Sequence, residues 1–150
     1  MVTTTTVSQV LRTKGYGFQG IGPDATAYDA LELMDEKNIG ALLVMEDGRL
    51  IGVFSERDYA RKVILKGKSS KNTLVRELMS GPPISVTPGM SLRECMVLMT
   101  EHRVRHLPVM DNDVVLGVIS IGDAVNAIIS EQDSTIEELE EYIAGTGYRA

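Results

Sequence analysis

The stretch GVFSERD at residues 52–58 decides how this sequence is interpreted, because its pattern returns 65 residues later as GVISIGD at residues 117–123. In each copy a short apolar run leads to a serine, and an aspartate follows three residues later. A strand that enters a helix through this pattern places a hydroxyl and a carboxylate at the helix N-terminus. The free N–H groups and the helix dipole there suit a phosphate, and a carboxylate suits a sugar diol.

The repetition extends well beyond the two motifs. Residues 23–58 align with residues 88–123 without a gap, and 11 of the 36 aligned residues are identical. The chain therefore contains an internal duplication. Because a solenoid needs at least about three repeats, two copies indicate a single pseudo-symmetric unit.

Composition and charge limit the possible functions. The 150 residues are 43% hydrophobic and 24% charged, with no long apolar span and no secretory signal, so we expect a cytoplasmic protein without a membrane contact. The net charge of −6 argues against nucleic acid as a partner, although a local basic patch could hold a small anion. With Cys95 as the only cysteine and only two histidines, we expect no metal site and a buried structural thiol at Cys95.

Hydrophobic periodicity and turn signals predict the same order of elements in both halves. Each half begins with a lead-in helix, at Val7–Lys14 and Thr73–Met79, which is followed by a short strand at Phe18–Ile21 and Ile84–Val86. A capped helix, two strands joined by a tight turn, and a helix that opens at the motif serine complete each half. The first of these last helices is predicted to reach about Lys66.

These elements predict an α+β fold in which two pseudo-symmetric β-α-β-β-α repeats pack through their sheets, plus a C-terminal helix. Residues 1–70 would form the first repeat with its lead-in helix, residues 71–130 the second repeat, and residues 131–150 an acidic helix and tail. Ser134 and Glu137 form a capping-box pattern at the start of this tail. Its thin apolar stripe is interpreted either as a solvated cover or as a contact with a partner.

With this motif in each half, the chain resembles a tandem pair of cystathionine-β-synthase-type (CBS) domains, the Bateman module. The resemblance covers about residues 7–130, and its other specific marks are GALLV at 40–44 and VRHLPV at 104–109. It implies a regulatory module, not an enzyme, that needs no obligatory cofactor and binds AMP, ADP, ATP, NAD(H) or S-adenosylmethionine. It also implies a homodimer that signals through its own geometry or through an unknown effector protein.

The resemblance also implies two clefts, because in this family the serine and aspartate of one repeat face the strand starts of the other. Asp58 and Asp123 would accept hydrogen bonds from a ribose diol, and Arg105 and His106 would meet phosphate. The second cleft lacks this basic pair, so we expect it to bind weakly, to bind another ligand or to stay empty. The first site comprises Ser55, Arg57, Asp58, Ile84, Ser85, Arg105 and His106, and the second comprises Gly20, Ile21, Gly40, Ala41, Ser120 and Asp123.

Other interpretations of the same residues remain open. Ser-x-x-Asp is close to a capping box, although capping alone requires neither the preceding glycine nor the same motif in both halves. Arg57 and Arg105 could form surface ion pairs, and His106 could lie at the edge of the core. For the whole chain the alternative is a ligand-free dimeric scaffold. A nucleotide-processing enzyme comes third, because the sequence shows no catalytic triad, metal cluster or Walker loop.

Overall fold

The computed structural model describes residues 5–145, apart from the side chains of residues 134, 135, 142, 144 and 145. The first half consists of α1 (Val7–Lys14), β1 (Gly20–Ile21), α2 (Ala27–Lys37), β2 (Ala41–Glu46), β3 (Arg49–Ser55), α3 (Glu56–Tyr59) and a π-helix (Ala60–Ile64). The second half consists of α4 (Val75–Leu78), α5 (Leu92–His102), β4 (His106–Asp111), β5 (Val114–Ser120) and α6 (Ile121–Gly145). The predicted α+β fold with two similar halves and a C-terminal helix is confirmed.

Each half is built on an antiparallel hairpin, and the two hairpins match in detail. Strand β2 pairs with β3, and β4 pairs with β5. The register shifts between Val44 and Met45 in the first hairpin and between Val109 and Met110 in the second. Because these shifts are 65 residues apart, the duplication in the sequence is reproduced in the backbone, down to its irregularities.

The first strand of each half is shorter than predicted. Only Gly20–Ile21 of the first segment pairs, in parallel, with β2. In the second half the strand predicted at Ile84–Val86 is reduced to one parallel bridge between Val86 and Val109. Two prolines precede this segment, and since proline has no backbone N–H it cannot donate to a sheet.

The two lead-in helices are exchanged between the halves. Helix α1 precedes the first repeat, but its Leu11 is buried in the core of the second repeat with Leu92 and Ile119. Helix α4 precedes the second repeat, but its Val75 and Leu78 are buried in the core of the first. Each core is thus completed by a helix that lies next to the other repeat in the sequence.

Backbone hydrogen bonds make the same exchange. At the start of α5, the N–H of Leu92 donates to the carbonyl of Thr5 at 2.8 Å. At the start of α2, the N–H of Ala27 donates to the carbonyl of Thr73 at 2.8 Å. If the chain were cleaved in the polar linker of residues 67–71 and the two fragments separated, each core would therefore lose one helix.

The last helices of the two halves differ from each other and from the prediction. Helix α3 ends at Tyr59 and continues as the π-helix to Ile64, with hydrogen bonds from Leu65 N to Ala60 O and from Lys68 N to Val63 O. Helix α6 is unbroken over 25 residues, so the C-terminal helix continues the repeat helix and does not start at a new cap. The side chain of Ser134 and residues 146–150 lie outside the described residues. No helix in the described range is long and apolar enough to span a membrane.

The glycine of each motif has a packing role. A Cβ atom at Gly52 would lie 2.8 Å from the Sδ of Met79 and 3.1 Å from the carbonyl oxygen of Ser80. A Cβ atom at Gly117 would lie 2.9 Å from a methyl carbon of Leu11. The glycines thus admit the chain segments of the exchanged helices. These packing contacts explain why each motif contains a glycine, and the explanation does not require a bound ligand.

We predict that Gly52→Ala destabilises the fold by about 1–3 kcal/mol, because the added methyl group would overpack the contact with Met79 and Ser80. Urea unfolding would measure the change in the free energy of unfolding. Gly89→Ala is the matched control, since a Cβ atom there would meet nothing within 4 Å. Equal stability of the two variants would contradict the packing role of Gly52.

Candidate functional site

Ser55 and Asp58 form a capping box at the start of α3. The hydroxyl of Ser55 accepts from the N–H of Asp58 at 3.1 Å, and Asp58 Oδ2 accepts from the N–H of Ser55 at 2.9 Å. Ser120 and Asp123 make the same pair of bonds, at 3.1 and 2.8 Å. The capping interpretation of the motif therefore holds in both halves, and these bonds fix both carboxylates in place.

The second oxygen of the Asp58 carboxylate points to other partners. Its Oδ1 accepts from the hydroxyl of Ser80 at 3.2 Å and lies 3.5 Å from the ammonium of Lys62. Oδ2 also accepts from the hydroxyl of Ser55 at 3.0 Å. Because a carboxylate offers about four acceptor positions, Asp58 has room for about one more hydrogen bond. A two-hydroxyl ligand would have to displace Ser80 or Lys62 to be bound bidentately.

Asp58 lies on the wall of a cavity of about 610 Å³ between the two repeats. Six of the seven residues predicted for the first site line this cavity, namely Ser55, Arg57, Asp58, Ile84, Arg105 and His106, whereas Ser85 does not line it. Both repeats thus line one cavity, in which the start of α3 from the first half faces the start of β4 from the second half. The volume lies within the range of small-molecule sites.

The cavity is basic although the chain is acidic. Five Lys and Arg residues line it against two carboxylates, Glu56 and Asp58, which leaves a local charge of +3 with histidines neutral. The whole chain carries −6. The positive side chains are Arg57, Arg61, Lys62, Arg103 and Arg105. Because α3 is only four residues long, these side chains rather than a helix dipole make the cavity suitable for an anion.

Several lining residues were missed by the sequence prediction. Arg61 and Lys62 follow Asp58 at spacings of three and four residues, which place side chains on one helical face, so this signal was available. Residues 80–83 reach the cavity because Ser80 bridges Val53, and no local pattern announces that contact. Arg103 has a left-handed backbone, with φ of 54°, at the end of α5. His102 also lines the cavity.

The imidazole of His106 lies near the boundary between the two predicted sites. Burial lowers its pKa, the positive charges of Lys14 and Arg105 lower it further, and the carboxylate of Asp123 partly opposes them. A Cβ atom at Gly40 would lie 3.7 Å from the ring Nε2, so the ring faces the first repeat. Its lowered pKa favours the neutral form of the His106 imidazole.

Gly40 lies on the wall of the first cavity, although the sequence assigned it to the second site. The reason is that β2 starts beside the motif of its own repeat. Ala41 pairs with Ser55, and the carbonyl of Gly40 accepts from the N–H of Glu56 at 3.0 Å. Gly20 and Ile21 form β1 and pair with β2, away from this cavity wall.

Asp123 is engaged by a residue that the sequence did not single out. The ammonium of Lys14, at the end of α1, donates to Asp123 Oδ2 and to the carbonyl of Val118, each at 2.6 Å. Burial alone would raise the pKa of Asp123, but the hydrogen bonds from Lys14 and Ser120 outweigh it and lower this pKa. The two motif aspartates therefore have different surroundings.

The remaining reactive groups are accounted for by packing. Cys95 is fully buried, and burial with the nearby charge of Glu94 raises the pKa of its thiol to about 11. Over residues 5–145, no group of three or more His, Cys, Asp and Glu side chains could hold a metal ion.

Comparison with known proteins places this architecture in one family. Residues 18–64 and 75–130 match the family model described as CBS domain. The CBS domain-containing protein CBSX3, mitochondrial, of Arabidopsis thaliana is 40% identical over 153 residues, which cover 96% of this chain and 74% of that protein. The CBS domain-containing protein YhcV of Bacillus subtilis is 37% identical over 112 residues, covering 74% of this chain and 79% of YhcV. The names of these relatives describe CBS domain proteins rather than enzymes.

Solved structures agree with the sequence comparison. A protein with CBS domains from Burkholderia ambifaria has a TM-score of 0.82 and 48% identity, and the match covers 85% of this chain and 96% of that one. The CBS domain pair of MJ0100, solved with 5′-methylthioadenosine and S-adenosyl-L-methionine, has a TM-score of 0.75 at 19% identity, which shows a shared fold alone. With both of its repeats matched, the chain belongs to the CBS domain family and carries the tandem pair of that family's regulatory module.

Proposed function

We propose that this chain is a regulatory module that binds an adenosine nucleotide in the cavity between its two CBS repeats. The observation that carries the proposal is the basic cavity itself. A carboxylate fixed at Asp58 and a local charge of +3 occur together in a chain whose net charge is −6. Few small ligands other than a nucleotide combine a hydroxyl-bearing sugar with several negative charges.

The lining suits each part of a nucleotide. Arginine presents a planar fork of donors that matches phosphate, and Arg57 and Arg105 come from opposite repeats. The remaining acceptor position of Asp58 suits a ribose hydroxyl. Apolar side chains, among them Val53, Pro82 and Ile84, line the same cavity and suit the adenine ring. The number of basic residues favours ligands with more than one phosphate, such as ADP, ATP or NAD(H), over AMP.

We further propose that the module works as a homodimer whose geometry, or a separate partner protein, transmits the signal. Apolar side chains are exposed on three helices of the structure, and a second copy of the chain would cover them. A ligand can shift such an assembly only by its difference in affinity between two states. Among these exposed side chains are Tyr28 on α2, Met96 and Val97 on α5, and Ile121, Val125 and Ile129 on α6.

The cytoplasmic location expected from the sequence also stays a proposal. The mitochondrial relative from Arabidopsis gives the alternative compartment. Imaging of the tagged full-length protein distinguishes the two.

The second candidate is a ligand-free dimeric scaffold, and one observation favours it. Both motif aspartates already have hydrogen-bonded partners within the chain, so neither needs a ligand to be satisfied. A thermal-shift and calorimetric screen with AMP, ADP, ATP, NADH and S-adenosylmethionine separates the candidates. A response to any of these ligands supports the regulatory module, and no response to all of them supports the scaffold.

We predict that Asp58→Ala weakens nucleotide binding by about tenfold or more, through the loss of a charge-assisted hydrogen bond to ribose. Isothermal titration would measure the affinity. Asp29→Ala is the control, because Asp29 forms the same kind of capping box with Thr26 at the start of α2 but does not line the cavity. If both variants lost affinity equally, the effect of Asp58 would be a loss of helix capping and not of a ligand contact.

We predict that Arg105→Ala weakens ATP binding by about tenfold and adenosine binding hardly at all, because its guanidinium would meet phosphate oxygens. Titrations with adenosine, AMP, ADP and ATP would show a loss that grows with the number of phosphates. Arg93→Ala on α5 removes the same charge from an exposed position outside the cavity. An equal loss for adenosine and ATP would show that Arg105 acts indirectly.

We predict that nucleotide binding raises the pKa of His106. In the free protein this pKa lies below the ordinary value of 6.5 because of burial and the nearby charges of Lys14 and Arg105. A bound phosphate would favour the imidazolium form, so affinity should increase as the pH falls through the range in which His106 titrates. NMR titration of the ring with and without ATP measures both values. An unchanged pKa would place the phosphates away from His106.

A further inference from the structure

The second motif of the chain is occupied by the chain itself. Lys14 Nζ lies 2.6 Å from Asp123 Oδ2 and 2.6 Å from the carbonyl oxygen of Val118. Its ammonium thus joins the last turn of α1, the end of β5 and the first turn of α6. The side chain of Asp123 is 19% exposed, so this ion pair is more shielded from water than an ordinary surface pair.

The first motif has no such lysine from its exchanged helix. The residue 65 positions after Lys14 is Met79, whose thioether packs against Gly52. The cation near Asp58 is Lys62 from the same helical segment, and it lies at 3.5 Å, beyond hydrogen-bond distance. The position equivalent to Lys62 in the second half is Ala127. The two halves have therefore kept the aspartate at equivalent positions, but the cation beside it differs: Lys62 lies near Asp58 and Lys14 binds Asp123.

The backbone around Lys14 is anchored by capping, burial and hydrogen bonds, whereas the Lys14 side chain is partly exposed. Helix α1 begins with a capping box between Thr6 and Gln9, and its Leu11 is fully buried. Just after Lys14, the N–H of Gly17 donates to the carbonyl of Leu116 on β5 at 2.8 Å. The side chain of Lys14 itself is 38% exposed, so rotation of its bonds alone could move the ammonium into water.

We propose that Lys14 is a built-in occupant of the second cleft and determines which cleft a nucleotide enters. This inference rests on the proposed function. A ribose hydroxyl that approaches Asp123 Oδ2 must displace an ammonium bound there at 2.6 Å, whereas the ammonium beside Asp58 lies at 3.5 Å and competes less strongly. The first cavity is therefore filled first. A ligand that enters the second cleft releases Lys14 from β5 and α6.

The test is Lys14→Met, which introduces the residue that the equivalent position, Met79, places beside the first motif. Isothermal titration with ADP should show one equivalent bound to the parent protein and two to the variant, with the second equivalent bound about tenfold more tightly than any second equivalent in the parent. Adding Asp123→Ala should remove the second equivalent. Arg12→Met is the matched control, because Arg12 is an exposed basic residue of the same helix, and it should behave like the parent.

A further variant separates this inference from the proposed function. Asp58→Ala combined with Lys14→Met should retain one equivalent of ADP, at the second cleft. If the parent binds ADP through Asp58 but the double variant binds none, the role of Lys14 is overturned and the nucleotide function stands. If neither the parent nor any Lys14→Met variant binds ADP, both proposals fail.

Two other results would also count against Lys14 as an occupant. Two equivalents bound to the parent as tightly as to Lys14→Met, one of them lost with Asp123→Ala, would show that Lys14 leaves the cleft open. Weaker second-site binding in Lys14→Met would show that the ammonium contacts the ligand instead of excluding it. A change in melting temperature alone, with unchanged stoichiometry, would reduce Lys14 to a structural ion pair.

Discussion

The exchange of the lead-in helices is the constraint on which the rest of the structure depends. Each apolar core is incomplete without a helix that the sequence places beside the other repeat, so the two halves cannot separate without exposing both cores. The exchanged segments also cross the central hairpins closely, and glycine at positions 52 and 117 leaves room for them without displacing Met79, Ser80 or Leu11. The bridge between Val53 and Ser80 is part of this crossing, and it brings residues 80–83 to the wall of the cavity. The architecture of the core and the shape of the site thus have one cause.

The duplication has preserved the backbone more faithfully than the charges. Both hairpins shift register at equivalent positions, and both capped helices end in left-handed residues with φ of 54°, at Asn38 and Arg103. Side chains at equivalent positions differ in charge, and Arg103 and Arg105 have no basic counterparts in the first half. Since hydrogen bonding and packing fix the backbone, charge could diverge at little cost to the fold. A symmetrical scaffold thereby acquired two motifs with unequal electrostatic surroundings.

Much of the fold could be predicted from the sequence because its signals are local or repeated. The limits of α1 agree with the prediction, and each half contains the predicted hairpin, since apolar periodicity and turn residues act within a few positions. The exchange of α1 and α4 could not be predicted, because either helix would fit either core by composition. In the site, the Ser55–Asp58 pair and Arg105 were expected, and Arg61 and Lys62 could have been found from helical spacing. Lys14 and Ser80 depend on the exchange, and no local pattern reveals them.

The unbroken α6 has a mechanical consequence. At about 1.5 Å per residue, its 25 residues form a rod of about 37 Å, and Asp123 lies in its first turn. A tilt of about 10° at that end would carry the opposite end through about 6 Å, by the geometry of a rigid helix. A small rearrangement around the Asp123 carboxylate would thus displace the acidic C-terminal end of α6 by several ångströms. A displacement of this size could change a contact between α6 and a neighbouring molecule.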